Sequence, residues 1–277
     1  MHEELRKAVE AIKGVQIPEL PAEILQLEAE IKSKFPNVIK ITQIIEQNAT
    51  LSGEVMRVVN SPVMKLPAPV KSIRDAVTIV GLDNIYNLVV SAALKNLFGN
   101  KGLIKDIMDH SVDMAFCMAD IAEWVEGVSR DEAYMLGLFH NAGALMLAAK
   151  NEAQYDPIFR QSMVLPLKII DDEKSVYDTS HVVIGVLVGK KWRLPVEFLN
   201  AIMLHHNVKC ANIADDHVRA MVAMIKVASG IVSEITLGAY RGTEMTEYER
   251  DGLEELMMDS HAMKEIRTAL MTYSFKD

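Results

Sequence analysis

Eight histidines punctuate this chain of 277 residues, and five of them, His110, His140, His181, His205 and His206, stand in or beside strongly apolar sequence. Neutral imidazole is a common ligand for divalent metals, and imidazoles converging from separate helices of a bundle build such sites. His140 and Asn141 interrupt AYMLGLFHNAGALMLAA, residues 133 to 149, where nearly every other side chain is apolar or small. Wound as a helix, this run is hydrophobic all round and calls for burial, where an unanswered polar group costs roughly 1–3 kcal/mol. The imidazole and the amide therefore need partners. His110 heads the series Met114, Cys117, Ile121 and Trp124, spaced along one helical face. Asp178 is placed to cap a helix that opens with His181, and His205 and His206 close another behind Phe198, Ala201 and Ile202. Adjacent helical residues point about 100° apart, so His205 and His206 share a ligand face only where a helix ends, an end that Asn207-Val208-Lys209 can supply. Taken singly, a histidine on an apolar face is more often a satisfied core residue donating to a carbonyl. The set of five is what raises the metal alternative.

Helical periodicity runs through nearly the whole sequence, with almost no strand alternation, so the expected fold is all-α, a multi-helix bundle. Short helices are expected at 21–33, 38–46, 51–60, 72–80 and 83–97, punctuated by Pro36, Asn60-Ser61-Pro62, Pro67-Ala68-Pro69 and Gly81. Generally longer ones are expected at 104–127, 130–149, 152–162, 178–191, 195–206 and 213–236. Gly99-Asn100-Lys101-Gly102 breaks the pattern and suggests a lobe boundary near residue 100. Thr246 and Glu249 have capping-box spacing and predict two last helices, 246–258 and 260–273. The N-terminal 1–16 reads as a separate helix and 233–277 as a helical extension.

Half of the residues are hydrophobic, enough for a sizeable core, and the formal net charge is −9. That charge argues against nucleic acid as a ligand, because phosphate-backbone binding draws on clustered Lys and Arg. Cys117 and Cys210 lack metal-type spacing and read as reduced thiols. The charged helical start MHEELRKAVEAIKG has no signal-peptide pattern, and residues 133 to 149 are too short and polar for a membrane span, so the expected location is the cytoplasm, without membrane contact. Met257, Met258 and Met263 read as core filler or an adaptable partner surface. The acidic stretch Glu244 to Asp259 reads as a solvated face, and Lys65, Lys71 and Arg74 as ordinary loop charges.

The segments IPELPAEILQL, LSGEVMRVVNSP, KSIRDAVTIVGLDNIYNLVVSAAL, GLFHNAGALML and HVVIGVLVGKKWRLPVEFLNAIMLHH stand in this order along the chain. Together they resemble the HDOD domain, the HD-related output domain of bacterial signalling proteins, itself similar to the HD and HD-GYP metal-dependent phosphohydrolases. The resemblance runs over 17–232 and implies a short-helix lobe, 17–100, packed on a degenerate HD-like lobe, 101–232. It further implies metal ligands at His110, His140, His181, His205 and His206. The two acidic ligands of the metal-binding relatives are replaced, by Asn141 beside His140 and by Ser229 on a late helix. Without carboxylates to offset cation repulsion, five neutral imidazoles do not suit two metals. One ion held by His140, His181 and one of His205 or His206 remains compatible, be it zinc, iron, nickel or manganese. The residues after His206 also lack a Gly-Tyr-Pro motif.

The resemblance therefore implies a non-catalytic signalling module with no resident cofactor, in which His140 and Asn141 answer each other in a buried hydrogen-bond network. Its partner would be a signalling protein or a small ligand, and a homo-oligomer is compatible with it. The alternative is a phosphohydrolase acting on a nucleotide or phosphate ester through one metal and a histidine base.

Overall fold

Helix caps written in the sequence set the first group of elements. The computed structural model describes residues 2–98, 101–238 and 242–274, and the described residues form helices and no strand. The first group comprises α1 (His2–Ala11), α2 (Ala22–Ile31), α3 (Val38–Glu46), α4 (Ala49–Val59), α5 (Ile73–Val80) and α6 (Leu82–Leu97). Asn37, Asn48 and Ser72 each accept backbone N–H bonds at the starts of α3, α4 and α5, satisfying donors that a helix leaves free. Gly81, at φ 91°, makes the turn from α5 into α6, a conformation that a side chain resists.

The second group comprises α7 (Gly102–Ile121), α8 (Arg130–Phe139), α9 (Ala142–Lys150), α10 (Glu152–Ser162), α11 (Ile169–Tyr177), α12 (His181–Lys191), α13 (Val196–Leu204) and α14 (Asp216–Thr236). Two further helices, α15 (Thr243–Leu256) and α16 (Ser260–Ser274), pack back onto it. One continuous apolar cluster joins both groups, from Ile24 and Ile45 to Phe139 and Trp192. Polar ties cross it as well: Trp192 Nε1 donates to the Pro18 carbonyl at 3.0 Å, and Asn87 Nδ2 donates to the buried Asp131 carboxyl at 2.7 Å. Gly99 and Asn100, the expected lobe boundary, lie outside the described residues, as do 239–241 of the loop before α15. No helix among the described residues is long and apolar enough to cross a membrane.

Four local expectations need correction. The run 130–149 is two helices rather than one, parted at His140 and Asn141. Each half is drawn to its own neighbour: Gly137 lies against the backbone of Ala115 in α7, and Gly143 against the backbone of α12. The helix over 104–127 stops at Ile121, and a 3-10 turn, Ala122–Trp124, carries Trp124 off the buried stripe to 42% exposure. Asp178 does not cap α12; it adopts a left-handed conformation, φ 57°, that ends α11, a helix absent from the expected set. Ser180 precedes α12 without a side-chain cap bond. Thr246 lies inside α15, where its hydroxyl donates to the Gly242 carbonyl at 3.0 Å. The methionines divide, with Met263 buried and Met257 90% exposed at a helix end.

Gly143 and Gly53 make opposite predictions. A Cβ at Gly143 would collide with the His181 carbonyl and stand 2.6 Å from Gly185 N, backbone atoms that cannot swing aside, whereas a Cβ at the exposed Gly53 meets nothing. Denaturant unfolding should show Gly143→Ala destabilised by about 1–3 kcal/mol or more and Gly53→Ala stabilised by about 0.5–1 kcal/mol.

Candidate metal centre

The break at His140 and Asn141 is what turns two polar groups toward a common interior. His140 follows the last residue of α8, and its Nδ1 sits 2.7 Å from the Gly137 carbonyl. A carbonyl only accepts, so Nδ1 carries the hydrogen and Nε2 keeps a lone pair. His205, one residue past α13, repeats the device with the Ile202 carbonyl at 2.7 Å. His140 thus answers Gly137 and not Asn141, contrary to expectation. Asn141 opens α9 through its carbonyl, which accepts from Ala144 N at 2.9 Å, and its side chain lines the cavity beside the histidines.

His181 is fixed by a residue that the sequence pattern did not single out. Glu173, fully buried on α11, accepts from His181 Nδ1 at 2.8 Å, from the His181 backbone N–H at 2.7 Å and from the Tyr155 hydroxyl at 2.6 Å. The carboxyl group thereby caps α12, sets the tautomer and leaves the His181 Nε2 lone pair facing inward. Carboxylate–imidazole pairing of this kind orients metal-binding histidines and raises their basicity. A buried acid does stand behind the imidazoles, which corrects the expectation of a cluster with none. Its sequence signal is faint: Ile169, Glu173 and Tyr177 share one face of α11 at helical spacing.

The helix end after Leu204 lets both members of the His205-His206 pair face the cluster, with ring centroids 4.0 Å apart. His181 Nε2 lies 3.4 Å from His205 Nε2 and 3.1 Å from His206 Nε2, and the ligand atoms of all three lie within 4.8 Å of one another. On His181 and His205 both Nδ1 hydrogens are committed elsewhere, so their facing Nε2 atoms are two lone pairs with no proton between them. That pair is not a hydrogen bond; it suits a cation. Zinc–nitrogen bonds of about 2.0–2.1 Å in a tetrahedral arrangement separate neighbouring nitrogens by roughly 3.3–3.4 Å, close to both distances. His181, His205 and His206 can hold a metal ion.

His140 and His110 stand one and two rings further out. The His140 ring centroid is 5.5 Å from that of His205, and the His110 centroid is 6.1 Å from that of His140. The structure therefore gathers all five histidines, and the three whose ligand atoms lie within 4.8 Å of one another are His181, His205 and His206, the helix end admitting both of the last two. Ser229 faces the same cavity and donates to its own helix at Ile225 O, 2.8 Å away. Beyond it, fully buried Lys226 donates to Asn207 O at 2.6 Å and Asp251 Oδ2 at 2.7 Å, and Asp251 also accepts from Cys210 N at 2.8 Å. This network and the Tyr248 hydroxyl, which donates to His205 O, pin the turn that carries the pair.

The centre is covered in part, His206 staying partly exposed. Met163 and Pro166 from the segment between α10 and α11, with Met245 from α15, line a cavity of about 30 Å³ beside the histidines. Glu244 holds this cover in place, accepting from Leu167 N at 2.7 Å and Lys168 N at 3.2 Å.

Burial favours the neutral form of His110, His140, His205 and His206. It pushes His110 down to about 4 and, reinforced by His110, pushes His140 down to about 3, from an ordinary 6.5. Burial and then the neighbouring imidazoles hold His205 and His206 well below that value. Below about pH 6.5 the unfolded chain takes up protons that the folded one refuses. The stabilisation is therefore complete above that pH and drains away as pH falls toward the folded values. The melting temperature of chelator-treated protein should drop steadily from about pH 6.5 to 4.5, with a shallower fall in His110→Gln. A flat profile would contradict this reading.

Comparison with known proteins agrees with the architecture. Residues 17–208 match the HDOD domain family. A crystal structure of an HDOD domain protein with unknown function from Geobacter sulfurreducens has a TM-score of 0.68 at 21% identity, covering 97% of each chain. One from Shewanella amazonensis, named "putative metal-dependent phosphohydrolase", has a TM-score of 0.67 at 20% identity, covering 97% of this chain and 98% of that one. A protein from Marinobacter aquaeolei, named "putative signal transduction protein", has a TM-score of 0.68 at 18% identity, covering 99% of this chain and 64% of its own. At such identities the likeness speaks for the fold. A curated relative, an uncharacterised protein of Treponema pallidum, is 24% identical over 199 residues, 69% of this chain, and the chain spans 38% of that relative's length. On the match over residues 17–208, the chain belongs to the HDOD domain family.

Proposed function

We propose that this chain is a non-catalytic signalling module that binds a partner protein or small ligand and whose His181, His205 and His206 hold a single divalent ion as an internal structural centre. The observation that carries this reading is the size of the space beside the histidines. About 30 Å³ admits a water or two, whereas pockets for organic ligands run to about 300–1,000 Å³. The Met163 to Lys168 segment and Met245 narrow the approach to the imidazoles, leaving less room than a phosphate ester needs.

The charge of the site supports one ion rather than two. Asn141 and Ser229 stand where acidic ligands would balance a second cation, and Glu173 is committed to His181 Nδ1. A bound ion would supply Lewis acidity and lock three ring orientations; zinc, iron and nickel all suit imidazole. The competing reading is a phosphohydrolase with one metal, favoured by the retained histidines and by the name of the Shewanella protein.

Elemental analysis of protein purified without chelators should find close to one transition-metal ion per chain. His181→Ala and His205→Ala should each lose it. Glu173→Gln should bind it about 10–100-fold more weakly. In a phosphomonoesterase and phosphodiesterase screen with added manganese the protein should show no turnover; robust turnover abolished by His140→Ala would establish the hydrolase instead.

A further inference from the structure

A second, larger cavity lies where the two groups of helices meet. It has a volume of about 430 Å³ and is bounded by Glu28, Ile31 and Lys32 of α2 and its end, Tyr86 and Asn87 of α6, and Arg193 and Pro195 of the α12–α13 turn. This volume falls in the range of small-molecule sites, and its walls mix apolar surface with a few polar groups, as such sites do.

The polar groups have a definite character. Glu28 accepts from Arg193 at 3.0 Å and from Lys32 at 2.7 Å. Two cations thus face one carboxylate, leaving a local surplus of positive charge on a chain of net charge −9. Only one guanidinium nitrogen of Arg193 is used by Glu28, and the remaining donors keep the fork geometry that grips carboxylate or phosphate. Asn87 spends its Nδ2 on Asp131 at 2.7 Å, so the Oδ1 acceptor is the amide atom left for an occupant. Tyr86 brings an aromatic ring, and Ile31 and Pro195 bring apolar surface.

Arg193 also occupies a costly backbone position. It ends α12 at φ 55°, with Leu194 N bonded to Gly189 O at 2.9 Å, a turn in which glycine is the usual residue. A long cation in that left-handed position strains the backbone, and Arg193 stands at the edge of the cleft.

We propose that this cleft binds a small planar organic anion of about mononucleotide size, with Arg193 and Lys32 taking the anionic group, Asn87 Oδ1 accepting from the ring edge and Tyr86 packing on the ring. This deepens the signalling reading, on which it rests only for the use made of the ligand. The position gives the occupant a route to the histidines. In the α12–α13 hairpin, Gly185 faces Ile202 and Gly189 faces Leu199 so closely that a Cβ would stand 2.9 Å and 2.6 Å from those side chains. Arg193 and Pro195 close one end of this pair, and His181, His205 and His206 mark the other.

The test is calorimetric titration of the chelator-treated 277-residue chain with GMP, AMP and inorganic phosphate. Removing metal keeps this experiment independent of the ion, so the metal centre can fail while the cleft stands, and the reverse. At least one nucleotide should bind with a Kd below about 1 mM, and inorganic phosphate at least about tenfold more weakly. Arg193→Gly, which suits the left-handed backbone, and Tyr86→Ala should each weaken nucleotide binding about tenfold or more while the melting transition stays cooperative. No saturable binding of either nucleotide up to about 5 mM, equal binding of phosphate alone, or unchanged affinity in both variants would overturn the proposal. Turnover of the bound nucleotide would overturn the non-catalytic reading and leave the site itself intact.

Discussion

Several imidazoles can crowd into one protein interior only if none is charged, and each neutral ring has a single hydrogen to place. That constraint governs the centre of this molecule. Gly137 and Ile202 carbonyls take the hydrogens of His140 and His205, and the Glu173 carboxyl group takes that of His181. Each acceptor is immobile, two being backbone carbonyls in helix ends and the third being gripped by Tyr155 and the α12 N-terminus. The Nε2 lone pairs of His181 and His205 then face one another 3.4 Å apart, an arrangement that costs energy unless something positive lies between them.

How far this was legible depends on how local each signal is. The expected helices at 38–46, 72–80, 83–97 and 152–162 coincide with α3, α5, α6 and α10 to within a residue, because Asn37, Ser72, Gly81 and Asn151 announce their ends in place. The motifs of the HDOD resemblance likewise sit on consecutive residues. What escaped is held by partners far along the chain. The start of α11 is secured by Glu244, more than seventy positions away, and Glu173 reads as one more surface acid in IIDDEKSVY until Tyr155 and His181 are placed around it. Asp178 had the right residue type for a cap, but Glu173 already filled that role for α12 from the preceding helix.

The run around His140 shows the same limit from the other side. Periodicity reports that a segment is apolar all round, and a uniformly apolar segment gives no sign of where it changes direction. Gly137 and Gly143 decide the matter by contact, one admitting α7 and the other α12. The joint between them is where the polar pair sits.

The cover over the histidines is completed by Met245 and held by Glu244, both on α15, whereas the family match ends at residue 208. Tyr248 and Asp251, which steady the turn bearing His205 and His206, belong to the same late helix. A fragment trimmed to the matched segment would therefore expose imidazoles that α15 helps to shield, and any reactivity it displayed would be a property of the wound rather than of the 277-residue chain.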